Sequence, residues 1–294
     1  MTLPAHPLHG IALMLVALAL FALLDATAKH LSQTFAVPLL VWARYTVHCV
    51  LMVVFLVPAM RGRLLRTRRA GSQIVRALML LATTSLGIAA LRLMPLAETT
   101  ALGFLSPLIV VLLAGPWLGE RIGGVRWAAV LAGFVGVLLI ARPGSALAGV
   151  GVAFALGAAI CYSIYQILTR QLSASESPLT MLFYTALVGS VVMTGALPWF
   201  WGGPVPTPMQ ALAIATLGIY GGAGHFLLIH AFRHAPVSTI SPFLYVQLIW
   251  ATLLGWLVFD HLPDLWSTAG MVVIAAGGLA IALAERRGMN RRGH

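Results

Sequence analysis

Few side chains in this 294-residue chain can do chemistry, and they sit inside apolar runs. Tyr162, Tyr165, Gln166 and Thr169 follow the spacing i, i+3, i+4, i+7, which puts all four on one face of a helix. A polar and aromatic stripe on an apolar helix turns inward, to meet a solute or to hydrogen-bond another helix. Ser238, Ser241 and Tyr245 share a face by the same spacing, with Gln247 nearby on another. Gly218, Gly221, Gly222 and His225 make a third stripe. Its glycines suit close helix packing, or leave room for cargo beside the histidine.

Ionisable groups within apolar runs are costly and need a partner or a water-filled cavity. Asp25 has Lys29 one turn on, which admits an i,i+4 ion pair near the membrane surface or a gating, proton-coupling carboxylate. Glu98 follows Pro95 in a first helical turn, where a carboxylate complements the helix dipole or serves a gate. Trp42, Arg44, Tyr45 and His48 cluster in another run. Arg44 must snorkel, pair or face water, and we assign it to packing outside any cavity. Pro107 and Pro242 fall inside runs, where each removes a backbone hydrogen bond and marks a bending point.

Other chemistries lack their residues. No G-x-x-x-x-G-K-[ST], H-E-x-x-H or G-x-S-x-G occurs, so neither nucleotide hydrolysis nor intramembrane hydrolysis is read, and no cofactor is implied. Cys49 and Cys161 stand apart in apolar runs and imply neither a disulfide nor a metal site. The net charge of +11 does not indicate nucleic-acid binding, because the arginines sit in short loops between apolar runs.

Composition fixes the scaffold that must position these groups. Hydrophobic residues make up 60% of the chain and charged ones 9%, with a mean hydropathy of +0.97. A soluble domain carries about 25% charged residues, and disorder needs low hydrophobicity. An all-α integral membrane protein remains, with each span taking about 20 apolar residues. Ten helices are predicted: Gly10–His30, Ala36–Ala59, Ser72–Leu91, Pro95–Leu118, Gly124–Ala141, Leu147–Thr169, Pro178–Trp199, Met209–Phe232, Pro236–Phe259 and Leu265–Ala284. The first run is too long for a cleaved signal segment. With the N-terminus inside, fourteen Lys and Arg fall on inner segments, including Arg66, Arg68, Arg69 and Arg76. Three fall outside: Lys29, Arg92 and Arg142. Both termini are therefore expected in the cytoplasm. One lysine against seventeen arginines suggests a GC-rich bacterial genome, and a bacterial inner membrane is the expected location.

The two halves also match each other. Sliding the chain by 141 residues lays Gly10 on Gly151, Phe21 on Tyr162, Asp25 on Gln166 and Thr84 on His225. It also lays Arg92 on Arg233, Pro95 on Pro236, Phe104 on Tyr245 and Gly136 on Gly277. Each half holds five spans, so the second enters the membrane from the opposite side. The outcome is an inverted repeat, divided as 1–143 and 144–294.

Leu93-Met94-Pro95-Leu96-Ala97-Glu98, Ser106-Pro107, Gly119-Glu120, the stretch Gly133 to Gly136, and Ala235-Pro236-Val237-Ser238 resemble an EamA domain. In the second half Phe259-Asp260-His261 stands where Gly119-Glu120 does in the first. The whole chain resembles the ten-helix, two-EamA form of the drug/metabolite transporter superfamily. That resemblance implies a basket-like bundle whose central cavity is lined by spans one, three, four, six, eight and nine, with five and ten peripheral. It implies a secondary transporter exporting small polar metabolites, amino acids first. A multidrug or lipophilic-cation exporter is the alternative, and a lipid scramblase or pore is the alternative of another class. Tyr162, Gln166, Tyr245 and His225 are the expected substrate-binding residues, supported by Tyr165, Phe21, Thr84 and Ser241. Asp25, Glu98, Pro107 and Pro242 are expected to gate or couple transport. Proton coupling and the choice between monomer and homodimer stay open.

Overall fold

The computed structural model describes residues 7–60, 64, 66–118, 124–141, 149–173, 175–200, 202–234 and 241–292. Every regular element among them is a helix. In chain order they are α1 (Pro7–Ser32), α2 (Val37–Met60), α3 (Ala70–Leu93), α4 (Leu96–Gly103), α5 (Ser106–Leu118) and α6 (Gly124–Ala141). There follow α7 (Val150–Leu172), α8 (Pro178–Phe200), α9 (Pro208–His234), a 3₁₀ turn (Ser241–Tyr245), α10 (Val246–Phe259) and α11 (Leu265–Arg292). With α4 and α5 read as one broken span, and the 3₁₀ turn and α10 as another, these are the ten predicted spans. Seven are long and apolar enough to cross a bilayer; Trp127–Ala141, Phe243–Phe259 and Leu265–Ala280 are shorter apolar helices. Arg61, Arg63, Gly119, Glu120, Arg121, Arg142, Leu147, Pro236 and Ser238 lie outside the described residues.

Two departures from the sequence reading have local causes. The fourth span is broken, with Phe104 and Leu105 separating α4 from α5. Pro107 has no N–H to give to the Gly103 carbonyl one turn back. The Ser106 hydroxyl takes that acceptor instead, at 2.5 Å. The last helix continues past Ala284 to Arg292, since no proline follows to stop it.

The α3–α4 corner follows from Pro95. A residue before proline is pushed out of the helical region, and Met94 is extended at φ −125°, ψ 156°. Helix α3 therefore ends at Leu93, and Pro95 caps α4 from outside rather than lying in its first turn. At the end of α10, Asp260 adopts a left-handed φ of 49°. Its N–H donates to the Trp256 carbonyl at 2.9 Å and that of His261 donates to Gly255 at 3.1 Å. The first bond, from C′ to C3, is that of the αL helix end, and the second folds His261 back over the helix end.

Packing carries the pseudo-symmetry. Helix α1 packs on α9 and α3 on α7, two contacts that the 141-residue offset exchanges. Helices α2 and α8, and α6 and α11, are repeat mates packed on each other. At the last of these a Cβ on Gly136 would stand 2.9 Å from the Gly270 carbonyl oxygen, and one on Gly277 would stand 3.2 Å from that of Ala129. Ala129 and Gly270 are themselves repeat mates. Small residues let helices approach where lipid supplies no hydrophobic drive. The outer surface is apolar, with Phe55, Leu131, Phe134 and Trp199 exposed.

Candidate functional site

A cavity of about 330 Å³ lies between spans one, two, three, four, six, eight and nine. Its polar lining includes Asp25 from α1, Arg44 from α2, Thr83 and Thr84 from α3, and Thr99 and Thr100 from α4. Ser106 from α5, Tyr162 and Gln166 from α7, His225 from α9 and Gln247 from α10 complete it. Phe21, Leu24, Phe104 and Leu244 supply much of the apolar wall.

Repeat mates meet here. Phe21 and Tyr162 both face the cavity, as do Asp25 and Gln166, Thr84 and His225, and Ser106 and Gln247. Aromatic contacts hold the walls. Phe21 and His225 meet edge to face with ring centres 4.9 Å apart, and Tyr162 stacks on Tyr165 at 5.6 Å. Thr84 is held by the Tyr45 hydroxyl at 2.9 Å. Ser163 on α7 donates to the carbonyls of Ala159 at 2.7 Å and Ser106 at 3.1 Å, fixing α7 to the break in span four.

Among the expected site residues, Tyr162, Gln166, His225, Phe21, Thr84, Asp25 and Pro107 line the cavity. Tyr165 and Tyr245 do not. Tyr165 stands behind Tyr162, with the Arg76 guanidinium over its ring at 5.0 Å. Tyr245 stacks on Phe104 at 5.0 Å and turns its hydroxyl to Gly278 of α11. It borders a lateral groove with Trp256 and Met271. For Ser241 and Pro242 only the backbone is described, and it is the 3₁₀ turn that opens span nine.

Three charged residues are placed differently from expectation. Lys29 does not pair with Asp25. Its ammonium donates to the Leu91 and Met94 carbonyls at 2.7 and 2.6 Å, closing the C-terminus of α3. Glu98 lies in the first turn of α4 as expected, yet it is 1% exposed and its Oε1 stands 3.2 Å from His261 Nε2. It is not part of the cavity lining. Arg44 lies on the cavity and not outside it. Gly221 packs beside it: a Cβ there would stand in ordinary contact, 3.4 Å from Arg44 Nε. Gly218 and Gly222 serve close packing, against Val47 and His48 of α2.

Sequence reasoning missed Gln247, Arg44, Thr83, Thr99 and Thr100. The repeat offered one signal, since Gln247 is the mate of Ser106. Arg44 had none: its mate, Thr185, serves Arg76 at 2.8 Å instead.

Ten apolar helices around a polar cavity built by both halves define a membrane transporter, not an enzyme. The chain belongs to the EamA-like transporter family, whose model matches residues 8–142 and again residues 149–283, starting points 141 residues apart. It is 30% identical over 281 residues to a riboflavin transporter of Vibrio cholerae, with 94% of each chain covered. It is 25% identical to an S-adenosylmethionine uptake transporter of Rickettsia conorii, covering 97% of this chain and 96% of that one. It is 26% identical to a pseudopaline exporter of Pseudomonas aeruginosa, covering 94% and 97%. A crystal structure at 22% identity superposes with a TM-score of 0.63, over 94% of this chain and 98% of the other, and shares the fold.

Proposed function

We propose that the chain is a secondary, alternating-access carrier of small polar metabolites that bear an apolar or aromatic body, bound in the central cavity. The observation that carries this reading is the meeting of four repeat-related pairs on one cavity. Inverted repeats of this kind place their cargo at the repeat interface and rock about it. A cavity of about 330 Å³ lies near the small end of ligand pockets, which run to about 1,000 Å³. That favours cargo of amino-acid size, and amino-acid export is the narrower reading we retain. The cargoes named for the relatives, riboflavin, S-adenosylmethionine and pseudopaline, belong in the same screen. The fourteen-to-three split of basic residues supports cytoplasmic termini, and the bacterial sources of the relatives support an inner-membrane location.

Purified protein in liposomes tests the proposal. Saturable flux of one or more amino acids, with counterflow from preloaded vesicles, is the expected result. Loading from either side reads the direction. Flux of lipophilic cations without amino-acid flux would move the reading to a multidrug carrier. Unsaturable leak of every solute or of labelled lipid would make it a pore or scramblase.

A further inference from the structure

We propose that Asp25 and Arg44 form a two-charge clamp for a dipolar cargo, with Asp25 receiving its ammonium group and Arg44 its carboxylate. The proposal rests on the reading that the central cavity holds the cargo, and it names the head group that the cavity selects.

The bundle gives its other buried charges close partners. Lys29 is held by two backbone carbonyls. Arg76, 1% exposed, donates to Thr169 at 3.3 Å, to Thr185 at 2.8 Å and to the Met181 carbonyl, and lies over Tyr165. Glu98 faces His261. Glu176 accepts from the Thr67 hydroxyl at 2.8 Å and the Arg68 N–H at 3.1 Å. Asp25 and Arg44 are treated otherwise. Among the described residues neither side chain has a hydrogen bond, and no ion pair joins them to each other or to anything else. Arg44 has the Tyr45 ring at 5.8 Å, and its charge also acts on Asp25 and His48. Both line the same cavity.

Two charges inside a membrane protein that are left without hydrogen-bond partners are expensive. Arg44 acts on Asp25 electrostatically, yet no hydrogen bond or ion pair closes between them. An α-amino acid carries an ammonium and a carboxylate on one carbon, so it supplies both missing partners together. Phe21, Phe104 and Tyr162 then face its side chain. The clamp belongs to one half of the molecule: the mate of Asp25 is neutral Gln166, and the mate of Arg44 is Thr185, away from the cavity. Head groups therefore bind in one orientation, although the walls are pseudo-symmetric.

The test uses two head-group series, built on phenylalanine and on leucine. Each compares the free amino acid with its amide, which keeps only the positive charge, and its N-acetyl form, which keeps only the negative one. Binding by thermal shift and counterflow in liposomes are read on the full chain. Wild-type protein should prefer the free amino acid about tenfold or more over each analogue, as expected when a charged hydrogen bond is lost. Arg44→Gln should erase the preference over the amide and keep that over the N-acetyl form. Asp25→Asn should do the reverse. Arg44→Lys and Asp25→Glu should restore part of the discrimination. Wild-type protein that transports all three forms alike overturns the clamp while the carrier reading stands. So do variants that keep wild-type discrimination. Absence of saturable transport for every solute overturns the carrier reading itself, and the clamp with it. If a variant fails to fold, the wild-type comparison of the three forms still decides.

Discussion

Gln166 lines the cavity, whereas Tyr245 lies behind Phe104. Replacing Gln166 by Leu removes one hydrogen-bonding group from the cavity while suiting a membrane helix. A neutral hydrogen bond is worth about 0.5–1.5 kcal/mol, so cargo affinity should fall about two- to twelvefold with folding intact. Titration of the purified variant checks this, and an unchanged affinity would make Gln166 a helix–helix contact. Tyr245→Phe should leave affinity within about twofold, since its hydroxyl does not reach the cavity. The face of span six was legible because the helix is regular and the repeat supports it. Span nine was misread for a physical reason. Ser241 to Tyr245 is 3₁₀, with 3.0 residues per turn, so a spacing of four no longer keeps one face. Arg44 is illegible because a sequence does not say whether an arginine snorkels, pairs or meets water; its place on the cavity follows from how α2 packs on α9 and α1.

At the scale of elements, the two backbone devices of the sequence, glycine stripes and prolines, have separable roles. The α9 stripe sets the α2–α9 distance. A Cβ on Gly218 would stand 2.5 Å from Val47 Cβ and 2.9 Å from the Arg44 carbonyl oxygen, so the helices must part. Gly218→Ala should cost about 1–3 kcal/mol, the usual range for overpacking, and lower the melting temperature. Gly195→Ala on α8, where a Cβ meets nothing within 4 Å, should not. An equal effect of both would show that the loss of glycine itself matters, not the contact. Pro107 acts on the break in span four. Alanine there restores an N–H that competes with the Ser106 hydroxyl for the Gly103 carbonyl. Turnover should change more than affinity, because Pro107 gives the cavity only an apolar ring, part of which alanine keeps, whereas the break in span four is altered directly. If flux and binding both stay at the wild-type level, the break serves packing alone. Proline and the spacing of apolar runs made the ten spans readable; the break itself needed the serine hydroxyl, which no periodicity displays.

At the scale of the molecule, an inverted repeat makes the two access states near mirror images only if its two ends are chemically alike. One end joins the halves through Glu98 of α4 and His261 of the α10–α11 turn, 3.2 Å apart. Lys29 closes α3 beside them, its ammonium 5.4 Å from the centre of the Phe259 ring. The mate of Glu98 is Thr239 and that of His261 is Glu120, so the acid–imidazole contact has no counterpart by sequence at the other end. Opening the Glu98 end must therefore break an interaction that opening the other does not. His261 is 42% exposed, which holds such a contact to about 0.2–1 kcal/mol. Glu98→Gln should then raise access from that end about 1.5- to 5-fold. Gly87 lines the cavity with open space around its Cβ position, so Gly87→Cys in a background without Cys49 and Cys161 provides a reporter. A membrane-impermeant thiol reagent added to each side of the membrane reads which end opens. Faster labelling from the Glu98 side, and slower from the other, is the expected pair of changes, because both draw on one conformational equilibrium. Unchanged labelling from both sides, in Glu98→Gln and in His261→Asn alike, would reduce the contact to packing and leave the bias between the two states to the repeat-breaking charges at the cavity.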